Sequence, residues 1–181
     1  MSLHKDPELK EAVLNLPQKE KDKLLVRLVG KDKMLMKQLH FRLLEDEIDL
    51  EERIVKLKEQ LEFLFMESRS SVKNLPVYGH YKALQALIRL ANGMVNEHEK
   101  ITKDKFSELE CRLYIIQVSF RQYPRLFEKS AVHSACKLHD YVKTRINMLN
   151  NKFDKLHEDL QFDLQEQLEG VLDFAQAHQL A

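Results

Sequence analysis

The residues with the most distinctive chemistry in this chain lie together in the segment His133-Ser-Ala-Cys-Lys-Leu-His-Asp140. On an α-helix His133, Cys136 and Asp140 share one face, and His139 lies about 60° from Cys136 around the axis. Imidazole, thiolate and carboxylate are the groups that bind zinc, so this spacing predicts a metal site if a second helix completes a tetrahedron. The alternative is that Cys136 packs as a small apolar residue beside surface histidines. Candidate ligands from other helices are Cys111, His98 and His157.

The known catalytic motifs of helical and other enzymes are missing from the sequence. A di-iron site needs Glu-x-x-His on two facing helices, and no Glu stands three residues before any of the eight histidines. Glu97-His98-Glu99 lacks the second histidine of a zinc protease. Four glycines do not form a nucleophile elbow, a phosphate-binding loop or a dinucleotide fingerprint. We therefore expect no catalytic residues and no cofactor.

Charge is unevenly distributed along a chain whose formal net charge is +0. Residues 18–37 hold seven basic and three acidic side chains, and residues 121–155 hold eight and three. Residues 45–62 and 156–173 are acidic. The basic segments could bind nucleic acid, where phosphate neutralisation dominates affinity. Alternatively, segments of opposite sign pair within the fold or between subunits, or the charges form solvated helix faces.

The scarcity of helix breakers indicates the elements that must position these residues. Only four glycines and four prolines occur among 181 residues, and apolar residues recur at steps of three and four. The sequence predicts an all-α protein of seven or eight helices in antiparallel hairpins, forming a bundle or a short solenoid. Helix joints are expected at Pro17, Gly30, Pro76–Gly79 and Pro124. The patterns over 32–69 and 126–178 fit either one helix or two, with Asn147, Asn150 and Asn151 favouring a break in the second.

Composition places the protein in a broad class. A Ser-, Asn-, Pro- and Gly-containing stretch, 70–80, predicts a linker between helical units 1–69 and 81–181 that share one globular domain. Charged residues make up 32% and apolar residues 44%, as in folded helical proteins. Two cysteines, no leader-like apolar run and no stretch of 18 uncharged apolar residues predict a cytoplasmic location and no membrane association.

Two helices carry more apolar residues than one core-facing stripe requires. Phe63, Phe65 and Met66 widen the stripe of the fourth helix, and Tyr114 and Ile115 widen that of the sixth. Such residues either contact a partner helix or mark a helix that is buried nearly all round. For the sixth helix we expect burial, and for the fourth both interpretations stay open.

One resemblance adds to this picture. The segments Leu16-Pro-Gln-Lys-Glu-Lys-Asp-Lys-Leu-Leu25, Lys31-Asp-Lys33 and Leu39-His-Phe-Arg-Leu-Leu44 are similar to the start of small all-helical bacterial proteins of uncharacterised function. In those proteins a basic helical hairpin precedes armadillo- or HEAT-like helix pairs. The likeness lies in the first third of the chain, and it implies a helical-repeat shape but no catalytic residues.

These observations favour a non-enzymatic protein that interacts with, or acts as a scaffold for, another protein. Self-association of the chain is left open. The alternatives are a nucleic-acid-binding or regulatory protein using segments 18–37 and 121–155, and a metal-binding helical bundle using His133, Cys136 and Asp140.

Overall fold

The computed structural model describes residues 6–180, which form eight α-helices and no β-strand. The helices are α1 (Pro7–Leu14), α2 (Gln18–Val29), α3 (Lys33–Leu44), α4 (Glu47–Glu67), α5 (Tyr78–Thr102), α6 (Lys105–Gln122), α7 (His133–Phe153) and α8 (Glu158–Ala177). Two 3₁₀ turns, Ser68–Ser70 and Pro124–Phe127, follow α4 and α6. The predicted all-α class, with eight helices, is confirmed for these residues.

The helix starts follow from local side-chain chemistry. The carboxylate of Asp6 accepts a hydrogen bond from the Leu9 amide at 3.0 Å, and Asp32 caps α3 in the same way. Helix α4 begins with a reciprocal capping box between Asp46 and Asp49, so it starts at Glu47. A carboxylate before the first turn therefore sets where several of these helices begin.

The chain divides into two compact units between Glu45 and Asp46. The sequence instead predicted a linker at 70–80. Residues 70–80 belong to the second unit, because the Val72 side chain is only 3% exposed and joins its hydrophobic core. A Ser- and Asn-rich stretch can thus be held in place by one apolar side chain and its neighbours. The break also settles the pattern over 32–69, which is two helices.

The core of the second unit is built around α5 and α6. Helix α6 is buried on most of its circumference, since Ile115 and Val118 are buried as well as Leu109 and Leu113. Tyr114 is half-buried against the same core. The expectation that α6 is a central helix is confirmed, and its extra apolar residues do not mark a binding surface.

The long pattern over 126–178 is interrupted twice. The 3₁₀ turn Pro124–Phe127 precedes α7, and four residues separate the end of α7 at Phe153 from the start of α8 at Glu158. The break therefore lies after the three asparagines that favoured it. Ile146 and Leu149 are each 1% exposed, so this part of the apolar stripe is used inside the fold.

The first unit, residues 6–45, differs sharply in burial. None of the residues in α1, α2 or α3 is buried. Leu25 is 60% exposed and Leu44 is 73% exposed. The second unit carries the hydrophobic core among the described residues.

Candidate functional site

An apolar groove lies between the second half of α4 and the first two thirds of α5. It consists of two adjoining hollows of about 420 and 460 Å³ that share Leu64 and Glu67. Across it Gln60 lies near Met94, and Val72 lies near Ala83, so the two helices run antiparallel. We call this surface the α4–α5 groove. Its lining residues are Glu59, Gln60, Phe63, Leu64, Glu67, Ser68, Ser71, Val72, Ala83, Ala86, Leu87, Leu90 and Met94.

The groove exists because α5 carries two apolar stripes. The first stripe, which includes Tyr81, Leu84 and Ile88, is fully buried in the core. The second stripe recurs at steps of three and four, like the first, and lines the groove. Its members are Ala83, Ala86, Leu87, Leu90 and Met94.

Two large side chains in the groove are exposed to solvent. Phe63 is 60% exposed and Leu90 is 58% exposed, whereas Leu87, between them and the core, is only 6% exposed. The groove therefore has a packed floor and accessible apolar walls, as helix-binding grooves do. For α4, the structure separates the three residues that sequence analysis grouped: Phe65 is 1% exposed and enters the core, while Phe63 and Met66 remain outside.

The charged groups in the groove lining are all acidic. Glu59 and Glu67 line it, and none of its lining residues is a lysine or arginine. Two exposed carboxylates beside an apolar floor favour a ligand that is apolar on one face and carries positive charge at its flanks.

The predicted zinc ligands lie at the start of α7 and are not brought together with partners. His139 Nε2 donates a hydrogen bond to the Leu126 carbonyl oxygen at 2.9 Å. The exposed Cys136 thiol lies 3.7 Å from the Ser130 carbonyl oxygen. Within residues 6–180 no three His, Cys, Asp or Glu side chains are grouped so that they could hold a metal ion. The set His133, Cys136, His139 and Asp140 thus gains no support and stays a prediction.

The proposed zinc partners from other helices are also engaged elsewhere. Cys111 is fully buried, and burial raises the pKa of its thiol to about 12. His157 caps α8, and its Nδ1 lies 3.2 Å from Asp159 Oδ2. Neither geometry directs a free ligand towards α7.

His98, the third candidate ligand, is buried and forms a hydrogen-bonded pair with Ser107. His98 Nε2 lies 2.9 Å from Ser107 Oγ, a distance that a serine nucleophile and its base would need. Ser107 is fully buried, so a substrate has no access to its hydroxyl group. Burial lowers the pKa of His98, partly opposed by Asp104, and the imidazole is neutral at pH 7. The pair joins α5 to α6 rather than forming a reaction centre.

A buried ionic network joins α5, α6 and α7. Arg112 is 5% exposed; its Nε donates to Glu108 Oε1 at 2.8 Å, and its two terminal nitrogens donate to Asn92 and Asn96 at 2.7 and 2.6 Å. The other oxygen of Glu108 accepts a hydrogen bond from Lys152 at 2.8 Å. Every strong donor and acceptor of Arg112 and Glu108 has a partner, so the network fastens the bundle and offers no free group for catalysis.

The basic segment 121–155 is dispersed over several elements. Lys152 is bound to Glu108, and the Arg145 guanidinium lies 4.9 Å from the centre of the Tyr141 ring. Arg121 and Arg125 flank the end of α6 and the following 3₁₀ turn. The structure thus assigns several of these charges to internal contacts, and the nucleic-acid interpretation of 18–37 and 121–155 stays a prediction.

Sequence reasoning identified only part of the groove. It singled out Phe63, which lines the groove, and Met66, which does not. It missed Leu90, because the main stripe of α5 already accounted for a core-facing helix. The signal that points to Leu90 is the second three- and four-residue rhythm on the same helix.

Comparison with known proteins gives no relative: no protein-family model matches the sequence, and neither a curated protein nor a solved structure is similar to it. Among residues 6–180, no helix combines the length and the apolar character needed to cross a membrane. The function is therefore inferred from the geometry of the chain itself.

Proposed function

We propose that this protein is a non-enzymatic interaction or scaffold protein that binds an amphipathic helix of another protein in the α4–α5 groove. The observation that carries the proposal is the groove itself: a packed apolar floor, exposed Phe63 and Leu90 on its walls, and acidic charges as the charged groups in its lining.

The dimensions of the groove suit a short helix. One side of the groove extends from Glu59 to Glu67 on α4 and on through the 3₁₀ turn to Ser71. At the rise per residue of the two helix types this is about 20 Å, or roughly three to four turns of a bound helix. A helix with apolar residues at i, i+3, i+4 and i+7 would place one side chain per turn against the floor. Full burial of a leucine-sized side chain contributes about 1.5–3 kcal/mol, so three such contacts offset a substantial part of the cost of association.

The acidic side chains of the groove determine which amphipathic helices bind, but they contribute less to the affinity for the helix than the apolar contacts do. An exposed ion pair contributes about 0.2–1 kcal/mol, so contacts with Glu59 and Glu67 are each weaker than one buried leucine. Lysine or arginine at the flanks of the apolar stripe is favoured, and glutamate at those positions is repelled. The occupant we infer is therefore a basic amphipathic helix.

The test uses two synthetic helical peptides with the same leucine stripe, one flanked by lysines and the other by glutamates. We expect the lysine peptide to bind the full-length protein with a Kd of about 1–100 µM in fluorescence anisotropy, and the glutamate peptide about tenfold more weakly. Phe63→Glu and Leu90→Glu should each weaken binding of the lysine peptide by about tenfold or more, because they place a carboxylate where the leucines pack.

Phe162→Glu is the matched control. Phe162 lies on α8, is 80% exposed and does not line the groove, so its substitution adds the same charge to the surface elsewhere. Equal loss of binding in Phe162→Glu and Phe63→Glu would refute the groove as the binding site. Light scattering measures the oligomeric state of the protein. If the wild-type protein is a dimer and only Phe63→Glu abolishes the dimer, the groove binds a second copy of the chain and not a separate partner.

A further inference from the structure

A second concave surface lies where the end of α6 meets the segment after α4. It is a cleft of about 590 Å³, a volume in the range of small-molecule sites. We call it the cationic cleft. Its lining residues are Arg69, Val72, Lys73, Asn74, Arg121, Gln122 and Tyr123.

The walls of the cationic cleft are held by contacts between the two segments. The Arg125 amide donates to Asn74 Oδ1 at 2.9 Å, and Ser68 Oγ lies 3.2 Å from Tyr123 Oη. Val72 and Tyr123 are each 3% exposed and belong to the core. The cleft is thus part of the folded unit, although sequence analysis predicted a linker for much of one wall.

The charge of the cationic cleft is unbalanced. Arg69, Lys73 and Arg121 line it and no carboxylate does, in a chain that has 29 basic and 29 acidic residues overall. The structure shows no ion pair between any of these three side chains and a carboxylate of residues 6–180.

The nearby helix ends do not cancel this charge. Helices α4 and α6 end at Glu67 and Gln122, and each C-terminus carries about half a negative charge. Two such ends offset about one of the three positive charges. About two positive charges remain to attract an anion.

We infer that the cationic cleft binds a small phosphorylated compound, such as a sugar phosphate. The phosphate is held by Arg69, Lys73 and Arg121, since guanidinium groups donate paired hydrogen bonds to phosphate oxygens. A compact phosphorylated compound fits a single cleft of this volume, whereas a nucleic acid requires a track of cations along its backbone. The inference is independent of the α4–α5 groove.

Isothermal titration of the full-length protein with ribose 5-phosphate, inorganic phosphate and ribose tests the inference. We expect saturable binding of ribose 5-phosphate, weakened about tenfold or more by Arg69→Gln and by Arg121→Gln. Arg27→Gln removes the same charge from α2 and should leave the affinity unchanged. Ribose, which carries no phosphate group for the three cations, should not bind. Circular dichroism checks that each variant is folded.

Four outcomes would overturn the inference. Absence of saturable binding up to about 10 mM excludes the site at useful affinity. Equal losses in Arg27→Gln and Arg121→Gln mean that binding follows net charge alone. Ribose that binds as tightly as ribose 5-phosphate refutes the role of the phosphate group. Arg121-dependent binding of an RNA oligonucleotide, without binding of ribose 5-phosphate, would replace the small molecule by nucleic acid.

Discussion

The two cysteines of this protein have opposite environments and therefore opposite reactivities. Cys111 is fully buried in α6, and burial, with Glu110 nearby, raises the pKa of its thiol to about 12. Cys136 is exposed near the start of α7. Because the thiolate is the reactive form, environment separates the two residues more strongly than their shared chemistry suggests.

We expect a water-soluble disulfide reagent at pH 8 to modify one thiol rapidly in the native protein and the second only on unfolding. The rapid reaction should disappear in Cys136→Ser and persist in Cys111→Ser. Cys111 stays protonated at pH 8, because burial raises the pKa of its thiol to about 12. The absorbance of the released thiolate follows the reaction. Reaction of both thiols at the same rate in the folded protein would contradict this assignment.

Residue types predicted which side chains could do chemistry, but not which ones have room to do it. The two histidines and the cysteine of segment 133–140 are suitable zinc ligands by type. Among residues 6–180, however, no group of three ligating side chains forms. His98 and Ser107 are at hydrogen-bond distance without solvent access for the serine. Access and mutual distance depend on tertiary packing, which residue spacing along one helix does not contain.

At the scale of elements, the Glu108–Arg112 network is the main polar link between three helices. Arg112 reaches Asn92 and Asn96 on α5, and Glu108 receives Lys152 from α7. Both Arg112 and Glu108 are almost fully buried. Glu108 therefore supplies the carboxylate that compensates the Arg112 charge, and removal of Glu108 leaves that charge buried without a carboxylate.

Glu108→Gln should lower the free energy of unfolding by about 3 kcal/mol, because Arg112 remains charged and buried without its carboxylate. Urea unfolding followed by circular dichroism measures the change. Glu52→Gln is the control: Glu52 pairs with Lys56 on the exposed face of α4, and its loss should cost less than about 1 kcal/mol. Similar losses in both variants would show that the buried network does not stabilise the bundle.

The four helix joints expected at Pro17, Gly30, Pro76–Gly79 and Pro124 each lie at or beside a helix boundary. Proline and glycine act locally on the adjoining turn, so their effect is visible in a short stretch of residues. The joint between α7 and α8 falls after Phe153, although three asparagines precede it. Asparagine tolerates a turn but does not require one, and burial of Ile146 and Leu149 keeps α7 helical through that region.

The α4–α5 groove also shows what the sequence does not reveal. Apolar residues beyond the main stripes of α4 and α6 were recognisable in the sequence, but their number did not show which of the two helices is central. Ile115 and Phe63 are both surplus to one stripe; the first is fully buried and the second is 60% exposed. The difference arises because α6 is surrounded by other helices and α4 packs mainly on one side.

For the molecule as a whole, burial is concentrated in one of its two units. Residues 6–45 include no buried residue in any helix, whereas α4 to α8 contain the hydrophobic core. Opening a helix that buries little apolar surface costs little free energy. The two units should therefore differ in local stability, even though both are helical.

Hydrogen exchange measured by mass spectrometry should show this difference. We expect amides in α2 and α3 to exchange at least about 100-fold faster than those in α6, because helix propensity alone gives short helices marginal stability. Peptides from both regions of one sample provide the internal comparison. Equal protection of α2 and α6 would mean that residues 6–45 are covered in solution by a contact that buries them.

Val72 lies in the wall of both the α4–α5 groove and the cationic cleft. Any ligand that shifts this side chain, or the short segment that carries it, alters the shape offered to the other ligand. Two binding equilibria that share a wall are thermodynamically linked, and such linkage is reciprocal. A phosphorylated compound that changes the affinity for a helix by some factor is itself bound more or less tightly, by the same factor, when the helix is present.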